Sequence, residues 1–218
     1  MTNRTVLLER AAQCYVAVGH FAQAADCRER AGHLLAAAAL WERAGDPARA
    51  ADCWRRVGRP LRAAECLEAL GKHAEAAECH REAGDALTGG WLLVTRAGQP
   101  AAGERMLRSA TVGQEGEQVR LDLALALARA LGEGGTDGLI RAVDALLDRL
   151  PGLPPEQQRR AEQWAVTAAE RIDRPDLGAT VFTSSYLARV PGVVERWQEW
   201  AVRVLGGTAG VPAEPLAH

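Results

Sequence analysis

Glycine recurs at a fixed step of thirteen residues through the first half of the chain, and this step restricts the fold more than any other feature of the sequence. It holds at Gly19, Gly32, Gly45, Gly58, Gly71 and Gly84. The segments that end at these glycines follow one another without a gap, and a further segment, ending at Gly98, has one extra residue. Internal repetition at a short fixed period is the signature of a solenoid, in which each unit contacts its neighbours in the chain.

The segment from Asp46 to Gly58 shows why each unit is predicted to be one short helix. Asp46 is a good N-cap, and Pro47 suits the first helical position because its missing N–H would have no partner there. Gly58 follows the last helical residues, where glycine adopts the left-handed conformation at little cost. One helical face is formed by Ala50, Cys53 and Val57, with Ala51 and Trp54 beside it. Helices this short are marginally stable alone and must stack on one another.

The third residue after each glycine alternates between small and large. The series is Ala22, Leu35, Ala48, Leu61, Ala74 and Leu87. This alternation predicts that successive helices are not equivalent, so that the structural repeat is an antiparallel helical hairpin of 26 residues. The predicted fold class is therefore all-α: a solenoid of short antiparallel hairpins that continues into longer C-terminal helices.

The turns and the helices that follow them resemble those of tetratricopeptide repeats. Gly19-His20-Phe21 with Ala24 comes closest to the familiar Gly-x-aromatic-x-x-Ala, and Gly45-Asp46 with Ala50 and Gly84-Asp85 also fit. The family repeats at about 34 residues, so this chain looks like a shortened relative, similar also to the short-helix solenoids of clathrin and intraflagellar-transport proteins. The resemblance covers residues 1 to about 110. It implies a scaffold that binds a partner protein or peptide, as in bacterial adaptors and sensor segments of signalling or defence systems.

Past residue 110 the thirteen-residue register is lost, and longer helices are predicted. Residues 111–118 read as a loop or a boundary. Helices are expected over 117–132, closed by Gly132, and over 139–150, 155–172, 174–190 and 191–206. This organisation predicts a repeat array at 1–110, longer hairpins at 111–206 and a disordered tail at 207–218. The second part is expected to stack on the array as one right-handed superhelix; a separate small bundle is the alternative.

Composition gives no general reason to expect binding to nucleic acid or to an anionic membrane, since the formal net charge is −2. No apolar run is long enough to span a bilayer, and Glu9, Arg10 and Gln13 interrupt the region where a signal peptide would need an apolar run. The chain is therefore expected to be cytoplasmic, without membrane contact.

The residues that carry chemistry in enzymes do not form a recognisable motif here. Five cysteines occupy one repeat position, Cys14, Cys27, Cys53, Cys66 and Cys79. Metal sites bring thiolates together at spacings such as C-x-x-C, so buried packing is the main interpretation, with a zinc site using His73 or His80 as the alternative. No P-loop and no nucleophile motif is present. We expect a non-catalytic protein without cofactor or metal.

Two tryptophans and an arginine cluster are the candidate partner-binding residues. Trp41 and Trp54 occupy the same position in successive units, where they either contact a partner or pack between hairpins. The cluster consists of Arg49, Arg55, Arg56, Arg59 and Arg62. These arginines either coat a solvated helix surface or grip acidic groups of a partner. RNA binding by the cluster is the alternative function, although neighbouring units carry acidic or neutral residues at the equivalent positions.

Overall fold

The computed structural model describes residues 3–207 and Gly210, and within these residues the regular structure is helical. The chain divides into two compact units, Met1–Leu92 and Leu93–His218. The boundary expected near residue 110, and the stacking of the later helices on the array, stay predictions. The disordered tail expected at 207–218 falls almost entirely outside the described residues.

The first unit is a row of short helices, each packed against the next in chain order. Its helices are α1 (Asn3–Ala17), α2 (Phe21–Arg30), α3 (Leu34–Arg43), α4 (Pro47–Arg56), α5 (Pro60–Ala69) and α6 (His73–Glu82). Helix α7 (Ala86–Thr95) spans the division between the two units. Neighbour-to-neighbour packing of successive helices confirms the predicted all-α solenoid architecture.

One backbone turn, repeated at each glycine, connects these helices. After α4 the Gly58 N–H bonds to the Arg55 carbonyl at 3.0 Å, and the Arg59 N–H reaches back to the Trp54 carbonyl at 2.9 Å. These two bonds form a Schellman motif, with Gly58 in the left-handed region at φ +73. The predicted role of the thirteen-residue glycine is therefore confirmed: it ends one helix so that the next can begin.

The residue after each glycine also begins the following helix. The carboxylate of Asp46 accepts a hydrogen bond from the Arg49 N–H at 3.1 Å, and Pro47 occupies the first helical turn, as predicted. A single residue thus closes the Schellman motif of one helix and caps the next. Connections this short leave no slack between the units, which keeps the helices in register.

Burial in the array repeats every thirteen residues rather than every 26. In α4 the buried residues are Ala50, Ala51, Cys53 and Trp54, and the corresponding positions of α3 and α5 are buried as well. The alternating leucines do not follow this packing: Leu35 is 56% exposed and Leu61 is 49% exposed, whereas Leu87 is 7% exposed. In α2 to α6 the alternating position is exposed, so the alternation there is not evidence of a difference in packing between successive helices. The smallest repeating unit is one helix with its turn, and a hairpin is any two of them in succession.

The second unit contains the longer helices. They are α8 (Pro100–Leu107), α9 (Glu115–Glu133), α10 (Asp137–Arg149), α11 (Pro155–Arg171), α12 (Pro175–Leu187) and α13 (Val193–Leu205), with a 3-10 turn at Leu150–Gly152. Helix α9 packs against α8, α10 and α11, while α12 contacts α10, α11 and α13. Each of the five windows predicted from sequence overlaps one of these helices, and α9 and α10 begin two residues before their windows. The expected stop at Gly132 was wrong, since α9 continues to Glu133 and ends at Gly134, whose φ is +81.

The repeat turn persists in the second unit without its glycine. After α11 the Asp173 N–H bonds to the Glu170 carbonyl, and the Arg174 N–H bonds to the Ala169 carbonyl. Asp173 has φ +54, and Arg189, which occupies the same place after α12, has φ +57. The Schellman geometry therefore recurs after residue 110, although the sequence register that marked it has been lost.

The core of the second unit holds one buried ion pair and a close helix contact. Glu162 is 1% exposed and accepts two bonds from the Arg196 guanidinium, at 2.6 and 3.1 Å. This pair joins α11 to α13, and its two bonds offset the cost of burying the carboxylate. Gly178 lets α12 approach α13, since an added Cβ would lie 2.7 Å from the Trp200 ring.

Candidate partner-binding surface

Four of the five arginines predicted to bind a partner flank the turn between α4 and α5, and Arg49 lies near the opposite end of α4. Arg49, Arg55 and Arg56 belong to α4, Arg59 is the residue that caps α5, and Arg62 lies in the first turns of α5. All five are exposed. The structure thus brings four members of the cluster to one turn, and the contacts of each arginine decide whether its charge is available.

Three of the five arginines are held by groups of the array itself. Arg56 donates to the Glu29 carboxylate of α2 at 2.5 Å. Arg62 donates to Glu42 of α3 at 2.9 and 3.1 Å and to Glu65 at 2.7 Å. The bonds to Glu29 and Glu42 join helices two units apart, so they stabilise the stack and neutralise charges that a partner would need.

The third arginine held by the array is Arg49, which covers the ring of Trp41. Its guanidinium carbon lies 4.6 Å from the ring centroid and one of its nitrogens lies 3.6 Å from the Asp46 carboxylate. Arg62 covers Trp54 in the same way at 5.5 Å. A cation over an indole ring is stabilising, and it also shields the ring from solvent.

Arg55 and Arg59 are the members of the cluster without an ion pair or a side-chain hydrogen bond among the described residues. Both are exposed, and the two Schellman bonds of the intervening turn set their spacing. Arg55 acts on α6 only at longer range: the pKa of Glu78 is lowered mainly by its hydrogen bond with Arg81, with a smaller contribution from the Arg55 charge. Two guanidinium groups without an ion pair among the described residues are therefore exposed at this turn.

Trp41 and Trp54 lie inside the array, which leaves little of either ring for a partner to contact. Trp41 is 3% exposed and Trp54 is 9% exposed. The Trp54 indole N–H donates to Glu42 at 2.9 Å, and the Trp41 indole N–H donates to Glu29 at 3.4 Å. Both side chains are packed between helices, which was one of the two interpretations of the sequence. A direct contact with a partner stays a prediction.

These indole bonds belong to a recurring contact that the sequence interpretation missed. A ring N–H at one repeat position bonds to a glutamate twelve residues earlier, on the preceding helix. His80, paired with Glu68 at 3.1 Å, is the third example. The signal was present in the sequence, since a glutamate stands twelve residues before Trp41 and twelve residues before Trp54 once the units are aligned. Glu29 and Glu42 thus serve internal contacts, although their sequence positions resemble those of surface charges.

Burial and these glutamates also suppress the reactivity of the cysteines. Burial, followed by the charge of Glu42, raises the pKa of Cys66 to about 11. Burial and then Glu29 raise the pKa of Cys53 in the same manner. A thiol that stays protonated is a poor nucleophile and a poor metal ligand. Cys27 and Cys79 are buried as well, as the packing interpretation expected, whereas Cys14 on α1 is exposed.

Among the described residues, no group of three or more histidine, cysteine, aspartate or glutamate side chains is placed to hold a metal ion. In the same part of the chain, no helix combines the length and the apolar character needed to cross a membrane. The fold and this surface define the class: an all-α helical-repeat protein with an arginine-lined turn. Comparisons with family models, with curated proteins and with solved structures found no match.

Proposed function

We propose that this chain is a non-catalytic scaffold that binds an acidic segment of a partner protein at the turn between α4 and α5. Arg55 and Arg59 are the contact residues in this proposal. The observation that carries it is the difference within the cluster: three arginines are neutralised internally, while these two are exposed without an ion pair among the described residues. A rigid array can present such charges without a further conformational cost on binding.

The packing of the array supports a scaffold of the tetratricopeptide kind. Successive helices bury small residues, as at Ala50 and Ala51, and stacked units of this type expose extended surfaces. By resemblance, we propose a cytoplasmic adaptor, or a regulatory or sensor subunit of a bacterial signalling or defence system. Trp41 and Trp54 contribute indirectly in this proposal, since they fix the helices that carry the arginines.

A nucleic-acid-binding array is the second candidate, and the same two arginines would serve it. Arginine contacts to phosphate give binding that weakens steeply with salt. The array offers few such contacts, because Arg56 and Arg62 are engaged with Glu29 and Glu42. We therefore rank it below the protein scaffold.

The test compares the double variant Arg55→Glu/Arg59→Glu with a charge-matched control, Arg105→Glu/Arg159→Glu. The control arginines lie in the second unit, are exposed and have no ion pair among the described residues. Each tagged chain captures partners from nuclease-treated native extract, and the captured proteins are quantified by mass spectrometry. We expect a protein that wild type and control retain and the test variant loses, and that binds purified wild-type chain directly.

Two results would contradict the scaffold at this turn. Equal retention by the test and control variants would show that Arg55 and Arg59 do not contact the partner. Loss of all captured proteins after nuclease treatment, together with a steep salt dependence for a single-stranded RNA probe, would favour the nucleic-acid function. Circular dichroism of each variant checks that the helices remain folded.

A further inference from the structure

Two exposed leucines stand on alternate helices of the array, at a position where packing does not require them. Leu35 in α3 and Leu61 in α5 are each about half exposed, whereas Leu87 in α7 is buried. The same position carries alanine in α2, α4 and α6, and it is exposed there too. The exposure therefore belongs to the repeat position, while the choice of leucine is particular to α3 and α5.

Both leucines lie at one edge of the array. Each is the second residue of its helix. Successive helices joined by turns this short run antiparallel, so the turn between α2 and α3 shares an edge with the turn between α4 and α5. The bond from Arg56, the last residue of α4, to Glu29, in the last turn of α2, shows that these helix ends meet. The alternation thus assigns leucine to one edge of the array and alanine to the opposite edge.

The same edge carries the two arginines of the proposed function. Arg55 lies in the last turn of α4, and Arg59 caps α5 two residues before Leu61. Neither arginine has an ion pair within the part of the chain that the structure describes. We call Leu35, Arg55, Arg59 and Leu61 the leucine–arginine edge. It is flanked by α2 and α6, which pack against α3 and α5, so its exposure does not depend on where the sequence begins.

The charges of the leucine–arginine edge decide which partner fits it. Guanidinium groups bind carboxylates, and apolar side chains beside them gain from burial. A two-fold contact between two copies of the chain would place the same four residues on both sides. These residues include two cations and no carboxylate, so such a contact would oppose like charges.

We propose that the leucine–arginine edge binds a segment of another protein in which carboxylates stand beside aliphatic or aromatic side chains. The proposal rests on the proposed function and adds the apolar half of the partner's chemistry. The carboxylates contact Arg55 and Arg59, and the apolar side chains cover Leu61 and Leu35.

The array presents the two leucines at a fixed spacing. Glu42 of α3 accepts bonds from Arg62 of α5 at 2.9 and 3.1 Å, which ties together the two helices that carry the leucines. A surface fixed in this way loses little conformational freedom when a partner binds. The bound segment crosses the turn between α4 and α5 and continues towards the start of α3.

A phage-displayed library of short random peptides is the probe, and the purified full chain is the bait. The test variant is Leu35→Ala/Leu61→Ala, and Arg55→Glu/Arg59→Glu removes the charges. The matched control is Val18→Ala/Leu70→Ala, which shortens two exposed apolar side chains at the opposite edge. Other helices of the array carry alanine at the repeat positions of both pairs, so these variants should remain folded.

Wild type and control should enrich peptides that combine acidic with aliphatic or aromatic residues. Fluorescence anisotropy of the enriched peptides then gives the Kd for each variant. The Kd should rise roughly three- to tenfold for each leucine replaced, because about half of each side chain remains to be buried. The arginine variant should lose the binding, and the control should keep the wild-type Kd.

The outcomes separate this proposal from the proposed function. If the enriched peptides are acidic without an apolar preference and bind the leucine variant as tightly as wild type, the leucine contact is wrong and the acidic partner stands. If no peptide prefers wild type over the arginine variant, both proposals are wrong. A wild-type dimer in sedimentation that the leucine variant no longer forms would make a second copy the occupant and overturn the proposal.

Discussion

Replacement of Gly58 by alanine tests the role of the repeated glycine directly. Gly58 has φ +73, and a Cβ at this position would meet no heavy atom within 4 Å. No steric clash with a neighbour therefore contributes, and the whole effect comes from the backbone conformation. Holding an L-residue in the left-handed region costs about 1–2 kcal/mol. We expect Gly58→Ala to lower the free energy of unfolding by about 1 kcal/mol, since alanine also restricts the unfolded chain.

Gly113 provides the matched control for this experiment. Its surroundings are equally open, but its φ lies outside the left-handed region. Gly113→Ala should be neutral or should stabilise the protein by about 0.4–1 kcal/mol through the unfolded state. Gly58→Asn should cost less than alanine, because asparagine tolerates the left-handed region, and Gly58→Val should cost more.

The assay is urea unfolding followed by far-ultraviolet circular dichroism, with the midpoints of the variants compared at a common slope. The Schellman interpretation requires Gly58→Ala to fall below both the wild type and Gly113→Ala. Equal stability of Gly58→Ala and Gly113→Ala would refute it, because the two sites differ in backbone conformation and both have open surroundings.

Three further predictions follow from other local features. Arg189→Gly should raise the free energy of unfolding by about 0.5–1 kcal/mol, since it relieves an L-residue at φ +57; urea unfolding checks this. Gly178→Ala should destabilise the second unit by about 1–3 kcal/mol, because its Cβ would overlap the Trp200 ring, and tryptophan fluorescence should report the loss. The free energy of unfolding should decline as the pH rises from 9.0 towards 11. Over this range the Cys66 thiol of the unfolded chain ionises, whereas the thiol of the folded chain, whose pKa is raised to about 11, keeps its proton. This loss approaches about 2–3 kcal/mol, and Cys66→Ala should flatten the alkaline decline in unfolding free energy.

The array was predictable because one residue type marks its turns. Glycine is the residue that adopts the left-handed region most readily, so a glycine at each Schellman position gives a visible period. The same turn at Asp173 and Arg189 escaped detection, because other residues bear the strain there. The Arg174-Pro175 pair, which matches Arg59-Pro60, was the remaining signal of the first of these turns.

The alternation of small and large residues marks equivalent repeat positions, but it does not predict whether those positions are buried. Leu35 and Leu61 stand at a position that a helical hairpin would be expected to bury, yet both are about half exposed, and only Leu87 among the leucines of this series is buried. A sequence pattern shows which residues are equivalent in successive units. It does not show which way that position faces until the phase of the helix is fixed by packing.

The arginine cluster was visible in the sequence, while its neutralisation was not. Arg56 meets Glu29, and Arg62 meets Glu42, across separations of 27 and 20 residues. From the sequence alone, all five arginines are equally good candidates for contact with an acidic partner. The stacking of helices two units apart engages Arg56 and Arg62, and Arg49 meets Asp46 and Trp41, which leaves Arg55 and Arg59 without an ion pair among the described residues.

The free charge of Arg55 follows from a break in the repeat. Where a ring N–H stands at Trp41, Trp54 or His80, a glutamate stands twelve residues earlier and accepts its hydrogen bond. At the junction of α4 and α5 both the donor and the acceptor of this hydrogen bond are missing. Leu67 stands at the position of the ring N–H donor, and Arg55 stands at the position of the glutamate acceptor. The junction of α1 and α2 lacks the pair as well, with Val16 and Arg28 in these positions. The arginine surface of the proposed function adjoins the first of these junctions, where Arg55 is left without an ion pair among the described residues.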